Sequence, residues 1–469
     1  MPLIKSEKIQ LAPILARSYN CPSQRMNFGV VGALVTSAVG AVGLYKSGMK
    51  FGKLLSPLPA LAIIGAYELK HHMTPAAPRQ SQYITFKCEK AKKRWSGKKI
   101  PAGILVTLYL DDAIDFTMDV LEALESSDEY TCYMPSWGVL KFLILQLFPN
   151  IGNSTSKDKK TTKREIAEHY NRGNDFFRSF LGKPMIYTSG VFEKDSDDLC
   201  SAQDNKMRKI CEKVRLQPGQ RFLDIGCGWG TLTGYAYRNF QADAKGVTLS
   251  EEGAKYSREN NPEVKGNKGT IDFIVTDYRD IPDEEKFDAI SSVEMAEHVG
   301  LNNFQIYLEK VKRNLVDEGA FYMQVAGFRK GSDWKDLAWA FFMGEYIFPG
   351  ADASTPLNWY VLQLEQAGLE VESVENVGIH YSLTLHEWYN EWKRNEFEGL
   401  KIGEKYPEQL CRLWRLFLAW STLASRRGSA TCWMITSHKQ LDAFDRSKMI
   451  KNQGNSQKWT DKAKFPQFR

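Results

Sequence analysis

Short apolar runs recur along the second half of the chain, and each one ends in glycine or polar residues. Runs of this kind are typical of strands that are buried on both faces, and the spacing between them admits a helix. The pattern therefore predicts an α/β fold over residues 165–440, with a parallel sheet and covering helices. The runs are "RFLDIGCG" (221–228), "AKGVTLS" (244–250), "IDFIVTD" (271–277), "FDAISSVEM" (287–295) and "AFYMQVAG" (320–327).

Two further apolar segments lie near the N-terminus. Residues 28–45 carry no charge, and about 18 such residues are enough to cross a membrane as a helix. A second, shorter run with two prolines covers residues 54–67. A signal peptide fits poorly, because no small-residue cleavage site is evident and a tail of 27 residues (1–27) comes first. We expect two membrane segments over residues 28–67.

The region after these segments is basic. Residues 87–99 hold seven Lys or Arg and one acidic residue, which beside a membrane favours the anionic cytoplasmic leaflet. A solvated linker is the alternative interpretation. We expect residues 68–164 to be a basic juxtamembrane and amphipathic linker region that ends in "GNSTSKDKKTTKR" (152–164). Residues 441–469 are predicted to be a loose basic tail.

Composition narrows the class of protein. Hydrophobic residues make up 43% and charged residues 25%, as in ordinary globular proteins. The net charge of +6 is modest for this length and gives no sign of a nucleic-acid partner. The eight cysteines are scattered without a CxxC pair, which favours free thiols in a reducing compartment and argues against a zinc site.

The segment "FLDIGCGWGTLTGYA" (222–236) reads as a strand, a glycine turn and a helix. Gly226, Gly228 and Gly230 allow positive φ and a close approach of backbone amides to a ligand. The G-x-G-x-x-G spacing of dinucleotide binders is absent, and Asp224 lies where a carboxylate can meet an ammonium or hydroxyl group. With "VTLS" and "TDYRD" ending the next two strands, the pattern indicates S-adenosylmethionine; a purely structural turn is the alternative.

The stretch "VEMAEHVG" (293–300) places Glu294, Glu297 and His298 close together in sequence. They could be metal ligands, acid–base groups or a polar helix end. A metal site is disfavoured, because Glu297 and His298 are adjacent and no other histidine has ligand-like spacing. We therefore predict no metal.

Several motifs, taken in order, resemble the cyclopropane-fatty-acid synthase family of methyltransferases. They are "EHYNRGNDFFRSFLGKPMIYTSGVF", "LDIGCGWG", "GVTLS", "DYRD" and "EMAEHVG". Within that family, "QVAG", "YIFPGADAS", "HYSLTL" and "FLAWSTLASRRGSA" are similar to the sphingolipid 9-methyltransferases of fungi. The resemblance covers about residues 165–440 and implies a Rossmann-like class I methyltransferase sheet with covering helices, preceded here by N-terminal transmembrane helices.

The resemblance also implies which residues bind S-adenosylmethionine. Tyr187 and Thr188 would close over the cofactor. The main part of the binding site would consist of Asp224, Gly226, Cys227, Gly228, Trp229, Gly230 and Thr231. The residues along the ribose would be Thr248, Leu249 and Ser250, and those near the adenine would be Tyr278 and Arg279.

For catalysis, the family resemblance implies a bicarbonate base held by a cysteine, a glutamate, a histidine, a tyrosine and a main-chain group. The glutamate is Glu297, the tyrosine is Tyr381 and the main-chain group falls at Ala326. The cysteine position is Ser189 and the histidine position is Gln324. Both replacements can hydrogen-bond an anion, but they argue for a different outcome after methyl transfer. Glu294 and His298 are expected to be structural or cofactor-side.

The implied activity is methyl transfer to carbon 9 of a Δ8-unsaturated sphingoid base in ceramide. One alternative is a cyclopropane-fatty-acyl-phospholipid synthase, and another is an inactive membrane scaffold that retains the fold. The implied partners are a sphingolipid and the membrane. The implied location is the endoplasmic reticulum membrane, as a multi-pass protein with its catalytic domain in the cytosol, where S-adenosylmethionine is made.

Overall fold

The computed structural model describes residues 75–133, 172–329, 333–348 and 355–441. The membrane segments expected at 28–67 lie outside these ranges, as do the linker at 152–164 and all but the first residue of the C-terminal tail. Within the described ranges, no helix combines the length and the apolarity that a membrane crossing requires.

The chain divides into two compact units, and the first comprises Met1–Asp119 and Ser126–Cys132. Tyr109 and Tyr130 are fully buried in it. The elements of this unit are α1 (Gln80–Tyr83), β1 (Ile84–Phe86), α2 (Glu89–Trp95), β2 (Ile100–Pro101), α3 (Ala102–Leu110), β3 (Ile114–Phe116) and β4 (Thr131–Cys132). Helix α2 buries Ala91 and Trp95, which lie four residues apart on one face, and exposes its basic residues. Strand β1 pairs with β3 antiparallel, and β2 pairs with β4 parallel.

The second unit, Val120–Glu125 with Tyr133–Arg469, contains a seven-stranded sheet. Its strands are β5 (Arg221–Ile225), β6 (Asp243–Thr248), β7 (Ile271–Val275), β8 (Phe287–Val293), β9 (Leu315–Phe328), β10 (Leu369–Asn376) and β11 (Ala430–Lys439). The spatial order is β10-β11-β9-β8-β5-β6-β7. Strands β5 to β9 are parallel, which confirms the prediction for the five apolar runs. The sheet as a whole is mixed, because β11 is antiparallel to both of its neighbours.

Helices cover this sheet and several begin at a capping side chain. Asp198 accepts a hydrogen bond from Ser201 N–H at the start of the helix Leu199–Lys213, and Asp333 forms a capping box with Asp336 at the start of the helix Trp334–Phe342. The helices are α4 (Val120–Glu125), α5 (Asn174–Leu181), α6 (Leu199–Lys213), α7 (Thr231–Phe240), α8 (Glu251–Asn260), α9 (Phe304–Asn314), α10 (Trp334–Phe342), α11 (Leu357–Gln366), α12 (Gly378–Phe397), α13 (Ile402–Lys405) and α14 (Glu408–Arg426).

Burial along the strands follows their position in the sheet. Strand β5, inside the sheet, buries four consecutive residues, whereas β10 at one edge buries only Leu369 and Glu372. Adjacent residues of β5 serve opposite faces: Phe222 belongs to one core cluster and Leu223 to the other. The carboxyl ends of parallel strands meet at one edge, which is where ligands of open α/β sheets bind. Asp224 and Thr248 lie near that edge, and β8 ends there at Val293.

Candidate active site

A cavity opens at the carboxyl edge of the parallel strands. With one exception, Gly230, all residues that the sequence predicts as cofactor contacts line it. Glu294, His298 and Lys206 line it as well. The lining residues that were predicted are Tyr187, Thr188, Asp224, Gly226, Cys227, Gly228, Trp229, Thr231, Thr248, Leu249, Ser250, Tyr278 and Arg279.

The glycine turn between β5 and α7 holds its three predicted glycines at positive φ. Gly226 (φ 81°) and Gly228 (φ 56°) line the cavity. Gly230 (φ 75°) instead precedes α7, and a Cβ there would lie 2.5 Å from Phe273 Cε1 and 2.6 Å from Ser257 Oγ. Gly230 therefore allows the turn to pack against Phe273 and Ser257, and it does not form part of the cavity wall.

Asp224 is held by two hydroxyl groups. Its Oδ1 accepts a hydrogen bond from Ser291 Oγ (2.9 Å) and its Oδ2 accepts one from Thr233 Oγ1 (3.0 Å). Burial raises the pKa of Asp224 to about 6, although both hydroxyls lower it. The carboxylate is thus fixed in one orientation at the base of the cavity.

The side of the cavity formed by the ends of β6 and β7 is ordered by local hydrogen bonds. Ser250 Oγ accepts a bond from Gly253 N–H at the start of α8. Asp277 holds Arg279 through two bonds, from Nε to Oδ1 (2.7 Å) and from Nη2 to Oδ2 (2.6 Å). The Arg279 guanidinium lies 5.5 Å from the ring centre of Tyr278. Such paired contacts keep a charged and an aromatic group in fixed positions for a ligand.

Lys206 lines the cavity but was not predicted from the sequence to be a site residue. It lies on the buried face of α6, one turn after Ala202 and one turn before Ile210, and its Nζ donates to Thr188 Oγ1. Burial lowers the pKa of Lys206 to about 8, with the charge of Glu294 acting in the opposite direction. A lysine in the apolar stripe of an amphipathic helix is the signal that could have revealed it.

Glu294, which was expected to be structural or cofactor-side, lines the cavity. It follows β8 with φ 49°, an uncommon conformation for a residue with a side chain. Its Oε1 accepts hydrogen bonds from Ser189 N–H (2.9 Å), Gln324 Nε2 (2.7 Å) and Cys432 Sγ (3.5 Å). Two of the predicted catalytic residues, Ser189 and Gln324, therefore meet at Glu294 and are fully buried beside the cavity.

Glu297 and Tyr381 are not among the residues that line the cavity. Glu297 Oε1 accepts a hydrogen bond from Ala326 N–H, and its Oε2 has no hydrogen-bond partner in the described residues. Burial, and then the charge of Glu294, raise the pKa of Glu297 to about 8. Burial and the charge of Glu294 also raise the pKa of Tyr381, so all three groups occupy one neighbourhood.

The catalytic roles of Glu297, Tyr381, Ser189 and Gln324 stay predictions. His298 lines the cavity with its ring centre 6.2 Å from that of Phe348. In the described part of the chain, no three histidine, cysteine or acidic side chains are grouped so as to hold a metal ion.

Comparison with known proteins places the chain in a family. The model of the mycolic acid cyclopropane synthetase family matches residues 157–435. A sphingolipid C9-methyltransferase of Emericella nidulans is 40% identical over 79% of this chain and 71% of its own length. The chain belongs to the sphingolipid C9-methyltransferases within this family. It is an S-adenosylmethionine-dependent methyltransferase.

Two further relatives and one solved structure are also similar to this chain. The sphingolipid C9-methyltransferase of Komagataella phaffii is 39% identical over 79% of this chain and 77% of its own. The cyclopropane-fatty-acyl-phospholipid synthase of Escherichia coli is 37% identical over a shorter part, 59% of this chain and 68% of its own. The structure of the cyclopropane synthase MmaA2 of Mycobacterium tuberculosis shares the fold, with a TM-score of 0.55 over 61% of this chain and 100% of that one, at 21% identity. The sheet is that of a class I methyltransferase.

Proposed function

We propose that the protein transfers the methyl group of S-adenosylmethionine to carbon 9 of a Δ8-unsaturated sphingoid base in ceramide. The product is a 9-methyl-4,8-sphingadienine-type sphingolipid. The observation that carries the proposal is the match to sphingolipid C9-methyltransferases over 79% of the chain.

The cavity suits S-adenosylmethionine, which carries charges of both signs. The Lys206 ammonium can meet its carboxylate, and Asp224 supplies negative charge for its cationic groups. Thr248 and Ser250, with Arg279 further along, would lie beside the nucleoside. When bound, S-adenosylmethionine supplies a methyl group on a positively charged sulfur.

The reaction also needs groups that act on the lipid. When carbon 9 of the alkene takes the methyl group, a positive charge develops on carbon 8, and negative or aromatic groups stabilise it. Loss of the proton on carbon 9 then restores the double bond. Loss of a proton from the added methyl group would close a cyclopropane ring instead. Ser189 and Gln324 stand where cyclopropane synthases are expected to have cysteine and histidine, which favours the first outcome.

The proposal includes a membrane location. Its support is the uncharged segment 28–45, the second apolar run at 54–67 and the basic stretch 87–99, since the substrate is itself a membrane lipid. We place the protein in the endoplasmic reticulum as a multi-pass protein with its catalytic unit in the cytosol.

Two other functions are less well supported. The first is a cyclopropane-fatty-acyl-phospholipid synthase. The match to such an enzyme covers 59% of the chain, whereas the match to the sphingolipid C9-methyltransferase of Emericella nidulans covers 79%. An inactive scaffold is the second, and the charged cavity with its glycine turn argues against it. Calorimetry separates enzyme from scaffold: the wild type binds S-adenosylmethionine, and Asp224→Ala binds it at least about tenfold more weakly.

Expression in a host that makes Δ8-unsaturated sphingolipids without the 9-methyl branch tests the proposal. Mass spectrometry of the lipids is expected to show a gain of one methylene on the sphingoid base, with a double bond at carbon 8 that ozonolysis still cleaves. A mass gain with no cleavage at carbon 8 would mean a cyclopropane and would overturn the assignment. Asp224→Ala in the same host is the inactive control.

A further inference from the structure

Three N–H donors at the positions expected to hold bicarbonate are already bonded to carboxyl groups of the protein. Ser189 N–H and the Gln324 amide both donate to Glu294 Oε1, while the Ser189 hydroxyl donates to the carbonyl of Gly190. The expected main-chain donor, Ala326 N–H, is bonded to Glu297. A bicarbonate ion here would face two carboxyl groups with these donors already occupied, so this arrangement does not suit it. The disagreement points to a different base.

The surroundings of the two carboxyl groups favour the negative charge on Glu294. Three donors reach its Oε1 and the Lys206 ammonium acts on it, whereas Glu297 receives one backbone N–H and its second oxygen has no partner in the described residues. Hydrogen-bond donors and a nearby cation stabilise an ionised carboxyl group, and burial without them favours the neutral one. Two carboxyl groups whose surroundings differ in this way take different protonation states.

Glu294 also has access to the cavity, which Glu297 lacks. The Glu294 side chain lines the cavity and is only partly buried, whereas Glu297 is 6% exposed and is not among the lining residues. Within the described residues all three donors to Glu294 end on Oε1, which leaves Oε2 for a proton. Burial raises the pKa of Glu294 above its ordinary value, which makes its carboxylate a better proton acceptor.

The backbone conformation of Glu294 also indicates a functional role for this residue. Glu294 has φ 49°, and its own N–H donates to Gln324 O at 2.7 Å, so the neighbouring strand fixes this conformation. Residues with a side chain adopt such φ values at some cost, and these conformations are concentrated at functional sites.

We propose that Glu294 is the base that completes the reaction, in the position expected for bicarbonate. The inference rests on the proposed function. The bond between sulfur and the methyl carbon breaks, and its electron pair stays on sulfur. The alkene π electrons form the new bond from the methyl carbon to carbon 9, which leaves carbon 8 electron-deficient. The electron pair of the C9–H bond then forms the new π bond, and the proton moves to Glu294, which returns it to solvent after product release.

The first test compares Glu294→Gln with a surface control, Glu309→Gln. Glu309 is exposed on α9 and does not line the cavity. Release of S-adenosylhomocysteine and formation of methylated lipid are measured with the lipid that the wild type accepts. Loss of a general base lowers kcat by about 100-fold or more, while calorimetry should show that S-adenosylmethionine still binds to Glu294→Gln. The control keeps wild-type kcat. Near-normal turnover by Glu294→Gln would overturn the proposal.

A second variant, Glu294→Gly, keeps the test valid if the amide variant misfolds. Glycine adopts φ 49° without strain and leaves the donors of Ser189 and Gln324 free for a small anion. We expect this variant to be inactive in carbonate-free buffer and to regain at least about tenfold activity with added bicarbonate or formate. Failure of both anions to restore turnover would count against a base at this position.

Removal of bicarbonate from the wild-type assay shows directly whether Glu294 or bicarbonate acts as the base. Turnover that is unchanged in carbonate-free buffer supports Glu294, and turnover that falls and returns on addition of bicarbonate contradicts it. The proposed function fails differently: the wild type would then methylate another unsaturated lipid and leave Δ8-sphingolipids unmethylated, while the response to the Glu294 variants could still be measured on that lipid.

Discussion

The glycine turn provides a matched pair of substitutions. Gly230→Ala and Gly228→Ala each add one methyl group at a residue with positive φ, and they differ in what that methyl group meets. At Gly230 the new Cβ would lie 2.5 Å from Phe273 Cε1 and 2.7 Å from Ser257 Cβ, whereas at Gly228 it would meet no atom within 4 Å. The two variants thus share the conformational cost and differ in steric overlap.

The magnitudes follow from these distances. A side chain in the left-handed region costs about 1–2 kcal/mol, and this cost applies to both variants. Overpacking of a filled interior costs about 1–3 kcal/mol more, and this applies to Gly230→Ala alone. We expect a loss of about 2–5 kcal/mol for Gly230→Ala and about 1–2 kcal/mol for Gly228→Ala. Both should weaken binding of S-adenosylmethionine, because the turn contributes to the cavity wall.

The assay is the melting temperature of the purified full-length protein, followed by calorimetry with S-adenosylmethionine. In a domain of this size 1 kcal/mol corresponds to roughly 2–4 °C, so Gly230→Ala should melt several degrees below Gly228→Ala. Equal melting temperatures for the two variants would refute the view that Gly230 is required by packing behind the turn.

Three further predictions concern charge and hydrogen bonding in and around the cavity. The pKa of Glu297 is higher in the folded chain (about 8) than its ordinary value of 4.5, so the folded state holds the proton more tightly and stability should fall as pH rises from about 4.5 to 8. Urea unfolding should show that Glu297→Gln removes this loss, which amounts to about 1.4 kcal/mol for each unit of pKa difference; an unchanged pH slope would contradict it. Lys206→Met should reduce affinity for S-adenosylmethionine by about tenfold or more in calorimetry, and wild-type affinity would mean that the ammonium does not meet the carboxylate. Thr233→Val removes one of the two hydroxyls on Asp224 and should cost about 1–3 kcal/mol of stability, whereas an unaltered melting temperature would show that Ser291 alone suffices.

The parallel part of the sheet was predictable because its strands are apolar along their whole length. Strand β10 was not predicted, because it lies at the sheet edge, buries only two of its eight residues and carries charged or amide side chains at four of them. Strand β11 contains Thr, Ser and His at positions that are buried only because β9 and β10 flank it. These are consequences of pairing between distant segments, which local patterns do not record.

The active site, like the sheet, was predictable from the sequence only in part. The glycine turn and the ends of β6 and β7 carry recognisable local motifs, and the structure brings those residues to one cavity. From the sequence, Glu297 was expected to be the catalytic carboxyl group and Glu294 a structural or cofactor-side one, and the distinction that their surroundings make between them was not predicted. That distinction depends on φ at Glu294 and on donors from Ser189 and Gln324, which are 105 and 30 residues away in the chain. Lys206 was missed because its partner, Thr188, lies in a different segment.

The measurement that tests the central claim most directly is NMR spectroscopy of the lipid product formed by the purified protein from Δ8-unsaturated ceramide and S-adenosylmethionine with a carbon-13-labelled methyl group. We expect the label to appear as a methyl group on an alkene carbon, at carbon 9. Label in a cyclopropane methylene, or on a lipid other than the sphingoid base, would contradict it.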